Sequence, residues 1–575
     1  MPYLSPINLF IMIRSLKQIS YAFILILLLD IDGNLFSVVA LADTGWCWGK
    51  EKHVTKVKNA SSLPERQVNM SVSKISPSAL NIGSYPPAIR SSNNDEKFTI
   101  TAPEMTGNLL SNGDLKALRN ALLIHPFKTW NLKHKYSSMK DIRIHEDKLQ
   151  AVIKNGDNAR LRRKLLKVLR GEDVYLDAIG GSHTAGGGLD TEEATGIERV
   201  YYKVIADWWG KIITPITGSE IRTRGIGIGG TPSNFFQYCF RSYVHKKPDL
   251  VLLDTAVNDM WRKNFIGNKC IPLEQLTRQL LSYPTEPALV YVNFFPVENC
   301  NSTCTNIENF GQNVLTYLYN ITTLSWKNAV CMRQGSLFNT CRDLVSKDKM
   351  HINQLGHAHI SLMIINLIRK ILQEGLAAKN NFLSDLDVKS ISHEISKLNI
   401  QLPPPAFIRS GHLNIGPLCW TTLTPNYKKN VTDNNLDVVI TKNNGFSYAM
   451  KKRRNKCRKS CRLDLYTMWT GETLGAYSEL SFTVPANVSH RGINGRSVVI
   501  SLRSCWICGT ANIWVDNNFN KKRQFDLKDL RFERTLVEII ALRVKPGRHT
   551  LNIKVVKKGK VSLVGVMLGP PDGPF

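Results

Sequence analysis

Predicted strands and helices alternate from Asp173 to about Leu372, and this alternation constrains the fold more than any other feature of the chain. Near-continuous apolar runs such as DVYLDAIGG, DLVLLDTAV and PALVYVNFF predict buried strands, and helical patterns separate them. Buried strands that alternate with helices indicate a mostly parallel sheet covered on both sides. The sequence therefore predicts an α/β domain over residues 171–375.

The pattern changes after this domain. Residues 376–415 include three consecutive prolines, Pro403 to Pro405, and have the composition of a linker. Beyond them, short strand patterns such as SVVISLRS, TLVEIIALRV and VSLVGVMLG recur at regular spacing. They predict an antiparallel β-sandwich over residues 416–575. A chain of 575 residues is too long for one hydrophobic core, which agrees with more than one domain.

The N-terminal third divides into three segments. Residues 1–42 hold an apolar run, Tyr21 to Leu29, after basic residues and before the small-residue sequence Ala40-Leu41-Ala42, which predicts a signal peptide or an uncleaved signal anchor. Residues 43–105 have the composition of a flexible segment. Residues 106–170 form a basic helical region that ends in LRRKLLKVLR. That helix either packs on the next domain or meets a membrane surface or partner.

Several features favour the secretory pathway. The chain has 12 cysteines, and a secreted protein would hold most of them in disulfides, whose pairing the sequence leaves open. The spacings CRKSC and CWIC would also fit zinc or redox sites, but disulfides are favoured. Surface glycans are expected at the sequons that begin at Asn59, Asn69, Asn301, Asn320, Asn430 and Asn487.

The formal net charge of +29 indicates an anionic partner or surroundings. Eight basic residues lie between Lys451 and Arg462. In a secreted chain they suit an anionic polysaccharide, and a solvated loop without a fixed partner is the alternative. Nucleic acid is not expected as a partner, and a membrane is expected only if the N-terminal segment stays uncleaved.

A serine follows two glycines directly after the first predicted strand, in IGGSHTAGGG. In a parallel sheet this position is the carboxyl end of a strand, where ligands bind. The glycines allow a tight turn that exposes the hydroxyl of Ser182, a candidate nucleophile. A serine that only caps the next helix is the alternative. His183 is expected to point away from Ser182.

Polar groups also follow a later strand and precede the closing helix. Asn258 comes at the end of DLVLLDTAVND and can donate a hydrogen bond into the same crevice, unless it and Asp259 only cap the strand. Asp348 and His351 stand three residues apart, so both side chains can face the same way. They form a candidate acid–imidazole pair, or a capping aspartate beside a surface histidine. His357 and His359 are expected to be structural.

A glycine-rich segment, RGIGIGGTPSNFF, lies between the serine and Asn258. Such a turn can bring a backbone N–H to a negative oxygen without side-chain hindrance. It lacks the Lys-Ser/Thr ending of a phosphate-binding P-loop.

These four segments, in this order, resemble the sequence blocks of the SGNH (GDSL-type) hydrolase superfamily over about 200 residues. The resemblance implies a flavodoxin-like three-layer α/β/α fold and ester hydrolysis without a metal or cofactor. Three positions depart from the family pattern: Gly-Gly-Ser replaces Gly-Asp-Ser, Ala256 stands where many members have Gly, and Gly225 stands where many have Asn. The implied roles are nucleophile for Ser182, general base for His351, orienting acid for Asp348, and oxyanion donors for Ser182 N–H, Gly230 N–H (Gly229 in the alternative register) and the Asn258 side chain.

We therefore expect a secreted or lumenal serine esterase that acts on carboxylic esters, with O-acetyl groups on carbohydrate as substrates. The β-sandwich is then a candidate carbohydrate-binding module. The same residues would serve a polysaccharide O-acyltransferase. A non-catalytic polysaccharide-binding protein with an inactive hydrolase fold is the third interpretation.

Overall fold

The structure is a computed structural model. It describes residues 26–29, 35–38, 110–124, 153–154, 158–189, 200–260, 270–294, 312–330, 344–346, 348–377, 402–408, 416–425, 433–450, 467–486, 489–490 and 493–573. These residues belong to one compact unit, in which an α/β domain packs against a β-sandwich.

A six-stranded sheet forms the centre of the α/β domain, and its order identifies the fold. Two short strands, β1 and β2, precede it and pair with each other antiparallel. The sheet order is β3-β8-β7-β6-β4-β5, and all neighbours are parallel except β3 and β8. The five parallel strands thus have the 2-1-3-4-5 order of flavodoxin-like sheets, with a switch point between β4 and β6. The strands are β1 (Ile26–Leu29), β2 (Leu35–Val38), β3 (Ile153–Lys154), β4 (Val174–Gly180), β5 (Ile221–Gly227), β6 (Leu250–Asp254), β7 (Ala288–Asn293) and β8 (Thr322–Ser325).

Helices cover both faces of this sheet because alternate strand residues point to opposite sides. Leu250 and Leu252 of β6 belong to one apolar core, and Val251 and Leu253 belong to the other. This arrangement gives three layers. The helices are Asn112–Leu123, Ala159–Leu165, Tyr201–Ile212, Thr214–Thr217, Ser233–Cys239, Ala256–Met260, Cys270–Leu281, Gln312–Leu318, Trp326–Val330 and Gln354–Ala377.

Two helical segments that the sequence predicted both pack within the α/β domain. The segment LRRKLLKVLR packs on the α/β domain: Leu161 and Leu165 are buried, and Lys167 forms a 2.9 Å ion pair with Asp249. The closing helix Gln354–Ala377 holds a stretch that is long and apolar enough to cross a membrane by length and composition. Most of that stretch is buried inside the domain, so it serves as a core helix.

The C-terminal strands form the predicted antiparallel β-sandwich. One sheet has the order β10-β13-β20-β17-β18, and the other has the order β11-β12-β21-β16-β19, with β9 also paired to β21. The strands are β9 (Leu418–Thr421), β10 (Val438–Asn444), β11 (Phe446–Met450), β12 (Thr467–Gly471), β13 (Tyr477–Val484), β14 (Ser489–His490), β15 (Ile493–Asn494), β16 (Arg496–Ser504), β17 (Thr510–Val515), β18 (Arg523–Asp526), β19 (Arg534–Val544), β20 (Gly547–Lys557) and β21 (Val561–Gly569).

The second of these sheets is buried on both faces because it also packs against the α/β domain. Along β16, Ile500 and Leu502 lie in the core of the sandwich, whereas Val499 lies in a core shared with Phe235 of the α/β domain. A disulfide between Cys239 and Cys419 crosses the same interface. The two domains are therefore held together by apolar packing and a covalent bond.

Part of the predicted linker is anchored to the α/β domain. The buried carboxylate of Glu274 accepts hydrogen bonds from the backbone N–H groups of Ala406, Phe407 and Ile408, at 2.6, 2.7 and 2.9 Å. Ile408 itself is buried. Residues 402–408 thus follow a defined path toward the sandwich.

The predicted fold class is confirmed: a flavodoxin-like α/β domain is followed by an antiparallel β-sandwich. One local prediction was wrong, since β6 ends at Asp254 and Asn258 lies on a short helix rather than at the end of the strand. Thr255 begins this helical turn, and its carbonyl accepts the N–H of Asp259 at 2.9 Å. The basic run Lys451–Arg462 and every sequon asparagine except Asn320 lie outside the described residues.

Candidate active site

The turn that carries Ser182 lies at the carboxyl edge of the sheet, directly after β4. Backbone hydrogen bonds tie the turn at both ends: Gly181 N–H donates to the Asp254 carbonyl at 3.2 Å, and Gly187 N–H donates to the Ser182 carbonyl at 2.7 Å. Ser182 is partly exposed, while the flanking residues Gly181 and His183 are buried. The hydroxyl therefore sits on a rigid turn at the mouth of the switch-point crevice.

Asp348 and His351 lie in the loop before the closing helix, and their side chains are paired. His351 Nδ1 lies 2.7 Å from Asp348 Oδ2. The other carboxylate oxygen accepts the N–H groups of Met350 and His351, at 2.9 and 3.0 Å, and the Ser346 hydroxyl at 2.5 Å. Burial acts to raise the pKa of Asp348, but the hydrogen bonds and the His351 ring outweigh it and lower that pKa below its ordinary value. The carboxylate is thus ionised and fixes the orientation of the imidazole.

The imidazole of His351 rests against the serine turn. A β-carbon added to Gly187 would lie 3.0 Å from His351 Nε2 and 3.0 Å from the Ser182 carbonyl oxygen. His351 Nε2 and the Ser182 carbonyl oxygen are therefore at most twice 3.0 Å apart. No hydrogen bond joins the Ser182 hydroxyl to His351 in the described part of the chain, and such bonds often tighten only when substrate binds. The fold brings the candidate nucleophile and base to the same place.

Asn258 also reaches the serine turn. Its side-chain Nδ2 lies 1.8 Å from the position that a β-carbon on Gly181 would take. Only glycine at position 181 leaves room for this amide, which contacts the residue directly before Ser182. The predicted amide donor is thus adjacent to the predicted nucleophile.

The glycine-rich loop after β5 is hydrogen-bonded both to the strand before Ser182 and to the helix that carries Asn258. Ile228 N–H donates to the Gly180 carbonyl at 3.0 Å, which extends the pairing of β5 with β4. At the other end of the loop, Asp259 accepts the backbone N–H and hydroxyl of Ser233 at 2.8 and 2.9 Å. Asp259 thus caps the helix Ser233–Cys239. Gly230 lies between these two anchors.

Among the described residues, three hydrogen-bond donors of these segments have no protein acceptor. Within the described residues, the backbone N–H of Ser182, the backbone N–H of Gly230 and the Asn258 amide make no hydrogen bond to the protein. Donors held by a rigid scaffold but not used by it can stabilise negative charge on a ligand. The three groups predicted as the oxyanion hole have this property, although their roles stay predictions.

Two buried titratable side chains lie close to these segments. His183 stacks on Phe294 with ring centroids 4.8 Å apart, and its ring centroid lies 5.6 Å from that of His351. Burial, followed by the proximity of His351, lowers the pKa of His183 well below its usual value, so it stays neutral. Burial likewise raises the pKa of Asp254, whose Oδ2 accepts the Thr184 hydroxyl at 2.9 Å. Burial therefore favours the uncharged form of both side chains.

The other two histidines are structural, as expected. His357 and His359 are both fully buried in the closing helix. Burial, with a smaller effect of His351, lowers the pKa of His357 to about 3.

Sequence reasoning missed three contributors to the site. It did not identify Thr184 and Asp254, whose hydrogen bond joins the serine turn to the end of β6. It also did not identify Gly187, which lies between Ser182 and His351. Asp254 carried a readable signal, because it is an acidic residue that ends an otherwise apolar strand.

Fold and site together define the class of domain: a flavodoxin-like α/β/α domain with a serine, an asparagine and an Asp–His pair at its carboxyl edge. The resemblance to the SGNH hydrolases is thereby confirmed at the level of the fold.

Comparison with known proteins found similar solved structures. No family profile matches the chain, and no curated protein matches it in sequence. A two-domain esterase active on acetylated mannans, solved with mannopentaose, aligns with 73% of this chain and 99% of its own, at 18% identity and a TM-score of 0.49.

Two further solved structures match smaller parts of the chain. An acetyl xylan esterase from Geobacillus stearothermophilus aligns with 34% of this chain and 94% of its own, at 18% identity and a TM-score of 0.27. A carbohydrate-binding module of Cellvibrio mixtus lichenase 5A, solved with cellotriose, aligns with 23% of this chain and 95% of its own, at 9% identity and a TM-score of 0.16.

Proposed function

We propose that this protein is a serine esterase that hydrolyses carboxylic esters, with O-acetyl groups on carbohydrate as its substrates. The observation that carries the proposal is the Asp348–His351 pair resting against the turn of Ser182, at the fold's switch point. His351 stands 169 positions after Ser182 in the sequence, and the fold brings its imidazole beside the serine turn.

The first half of the reaction forms an acyl-enzyme. The Ser182 hydroxyl attacks the ester carbonyl while His351 Nε2 takes its proton, and Asp348 stabilises the resulting imidazolium. The carbonyl oxygen becomes negative and accepts hydrogen bonds from Ser182 N–H, Gly230 N–H and the Asn258 side chain. When the intermediate collapses, the C–O bond to the sugar breaks and His351 returns the proton to the leaving hydroxyl.

The second half releases the acid. Water gives a proton to His351 and attacks the acyl carbon, and the same donors hold the second oxyanion. The bond to Ser182 Oγ then breaks, and His351 gives the proton back to the serine. No step requires a group beyond these residues and water.

An exposed aromatic side chain supports a sugar substrate. Trp506 is 62% exposed and lies inside the loop closed by the Cys505–Cys508 disulfide. Trp506 comes three residues after Arg503, a separation of about 10 Å in extended chain. The side chain of Arg503 reaches the glycine-rich loop. An exposed indole on the domain that also contacts the glycine-rich loop is suited to stack on a sugar ring.

The experiment compares two substrates in three proteins: wild type, Ser182→Ala and Trp506→Ala. We expect Ser182→Ala to lose turnover of both an aryl acetate and acetylated mannan while its thermal unfolding stays unchanged. Trp506→Ala should keep turnover of the aryl acetate and show a raised KM for the glycan. Unchanged turnover in Ser182→Ala contradicts the esterase, and unchanged KM in Trp506→Ala removes the support for sugar stacking.

Product analysis separates hydrolysis from acyl transfer. Free acetate as the acyl product supports hydrolysis, whereas an acetylated acceptor glycan would identify a transferase.

We further propose that the protein acts outside the cytosol, in the secretory lumen or after secretion. The N-terminal apolar run and the six sequons support that location. Asn320, the sequon residue within the described ranges, is exposed and therefore open to glycosylation.

A further inference from the structure

The glycine-rich loop of the α/β domain is held from the outside by the β-sandwich. Arg503, on β16, donates from Nη1 to the Gly229 carbonyl at 2.9 Å. Thr535, at the start of β19, donates its backbone N–H to the Gly230 carbonyl at 3.0 Å. The Thr535 hydroxyl also lies 2.7 Å from that of Thr231. Three successive residues of the loop thus contact the second domain.

Arg503 is itself fixed in place. Its Nη1 also donates to the Thr535 hydroxyl at 2.7 Å, and its Nη2 lies 3.2 Å from Glu533 Oε1. Its side chain is only 4% exposed. A buried guanidinium with a carboxylate partner and defined acceptors has little freedom to move, so it holds the Gly229 carbonyl in one direction.

The direction of that carbonyl determines the direction of the candidate oxyanion donor. Gly229 C=O and Gly230 N–H belong to the same peptide unit, which is planar and trans, so the two groups point in opposite directions. Because the carbonyl points to Arg503 in the sandwich, the N–H points away from the sandwich, toward the α/β domain. A charged donor on the carbonyl also polarises the peptide and strengthens the N–H as a donor.

Gly230 is fitted closely into this contact. It has a positive φ of 66°, and a β-carbon there would lie 2.3 Å from the Glu533 carbonyl oxygen. The residue before Thr231 must therefore be glycine for the loop and the sandwich to meet in this geometry.

We infer that Arg503 of the β-sandwich is a positioning residue for the oxyanion hole, which it orients through the Gly229–Gly230 peptide. The inference rests on the proposed esterase function and adds that the second domain completes the catalytic site. Arg503 touches neither substrate nor Ser182; it acts by aiming and polarising one N–H.

The test compares Arg503→Met with Arg496→Met. Arg496 is a matched control because it lies on the same strand, is 5% exposed, and also donates from Nη1 to a glycine carbonyl, that of Gly416, at 2.7 Å. It is seven residues from Arg503, about 23 Å along the strand. Both variants lose a buried guanidinium, but only one loses contact with the glycine-rich loop.

We expect Arg503→Met to lower kcat for an aryl acetate by about tenfold to a hundredfold, somewhat less than the removal of a whole oxyanion donor. KM should stay within about twofold, since the interaction is made in the transition state. Arg503→Lys, which keeps the positive charge, should recover part of the lost kcat. Arg496→Met should keep the wild-type kcat.

Two results would overturn the inference: a wild-type kcat in folded Arg503→Met, or an equal loss in both methionine variants. If Arg503→Met does not fold, Arg503→Gln replaces it, because a shorter, neutral amide cannot keep the contacts of the guanidinium with both Gly229 and Glu533. A wild-type kcat in that variant would likewise overturn the inference. A wild type without any esterase activity would overturn the proposed function and this inference together, so the two failures are distinguishable.

Discussion

The side-chain amide of Asn258 occupies the space that a β-carbon on Gly181 would need, since its Nδ2 would lie 1.8 Å from that carbon. This contact joins the segment after β6 to the turn after β4, across the switch point of the sheet. Position 181 must therefore lack a side chain so that the Asn258 amide can lie against the turn, and not only so that the turn can form.

Gly181→Ala should displace the Asn258 amide and remove one donor from the oxyanion hole. We expect kcat to fall by about a hundredfold, the usual effect of losing such a donor, with little change in KM. Steady-state kinetics with an aryl acetate measures both values. Gly210→Ala is the control, because Gly210 lies on the exposed face of helix Tyr201–Ile212 and has no atoms near its missing β-carbon. That variant should keep kcat and be more stable by about 0.5–1 kcal/mol.

The Asp348–His351 pair can be compared with a second aspartate–histidine pair in the same domain. Asp177, in the middle of β4, contacts the ring of His245 and accepts its backbone N–H at 2.8 Å. Asp177 precedes Ser182 by five residues, about 16 Å along the strand. The two pairs therefore share their chemistry but not their location.

Asp348→Asn should lower kcat by about 10⁴-fold, because an asparagine favours the wrong tautomer of the imidazole. His245→Gln should leave kcat unchanged, with any effect confined to stability. Turnover of an aryl acetate by the two variants, with circular dichroism to verify folding, provides the comparison. Equal losses in both would show that the Asp348–His351 pair has no special role.

The raised pKa of the buried Asp254 carboxyl predicts a specific dependence of stability on pH. In the unfolded chain this group ionises near pH 4, whereas burial raises its pKa in the folded protein well above that value. The folded state thus keeps a proton that the unfolded state loses, so the contribution of Asp254 to stability is complete below about pH 4 and is lost as pH rises through the folded pKa.

In Asp254→Asn the side chain at this position does not ionise, so it makes no contribution of this kind. The free energy of unfolding of wild type minus that of the variant should therefore decrease between about pH 4.5 and 7.5. Urea denaturation of both proteins at the two pH values measures it. A difference that stays constant with pH would mean that Asp254 is ionised in the folded state.

The disulfide between the domains should contribute more to stability than the one inside the sandwich. Cys239 and Cys419 are 180 residues apart, whereas Cys505 and Cys508 are three apart. Because the longer loop constrains the unfolded chain more, replacing the first pair by alanine should cost about 2–5 kcal/mol, and replacing the second should cost less. Equal losses in urea denaturation would contradict this ranking.

Local sequence patterns predicted most of the fold because the strands are marked by apolar runs and the helices by their periodicity. The same patterns pointed to Ser182, Asp348 and His351, since each lies close to the end of a strand or the start of a helix. They also pointed to Asn258, but they placed it at the end of a strand, whereas it lies on the short helix Ala256–Met260. They did not predict Arg503, which contacts a loop 274 residues away in the sequence. Nothing in the strand SVVISLRS distinguishes an arginine that faces solvent from one that faces another domain. The Cys239–Cys419 pairing was out of reach for the same reason.

The central claim is that Ser182 is a nucleophile activated by His351, and covalent labelling tests it most directly. Wild type, Ser182→Ala and His351→Gln are treated with a fluorophosphonate probe, and the modified peptide is identified by mass spectrometry. The account predicts one probe molecule on Ser182 in the wild type, none on the Ser182→Ala protein, and much slower labelling of Ser182 in His351→Gln. A wild type that stays unlabelled at Ser182, or that labels equally fast without His351, would contradict it.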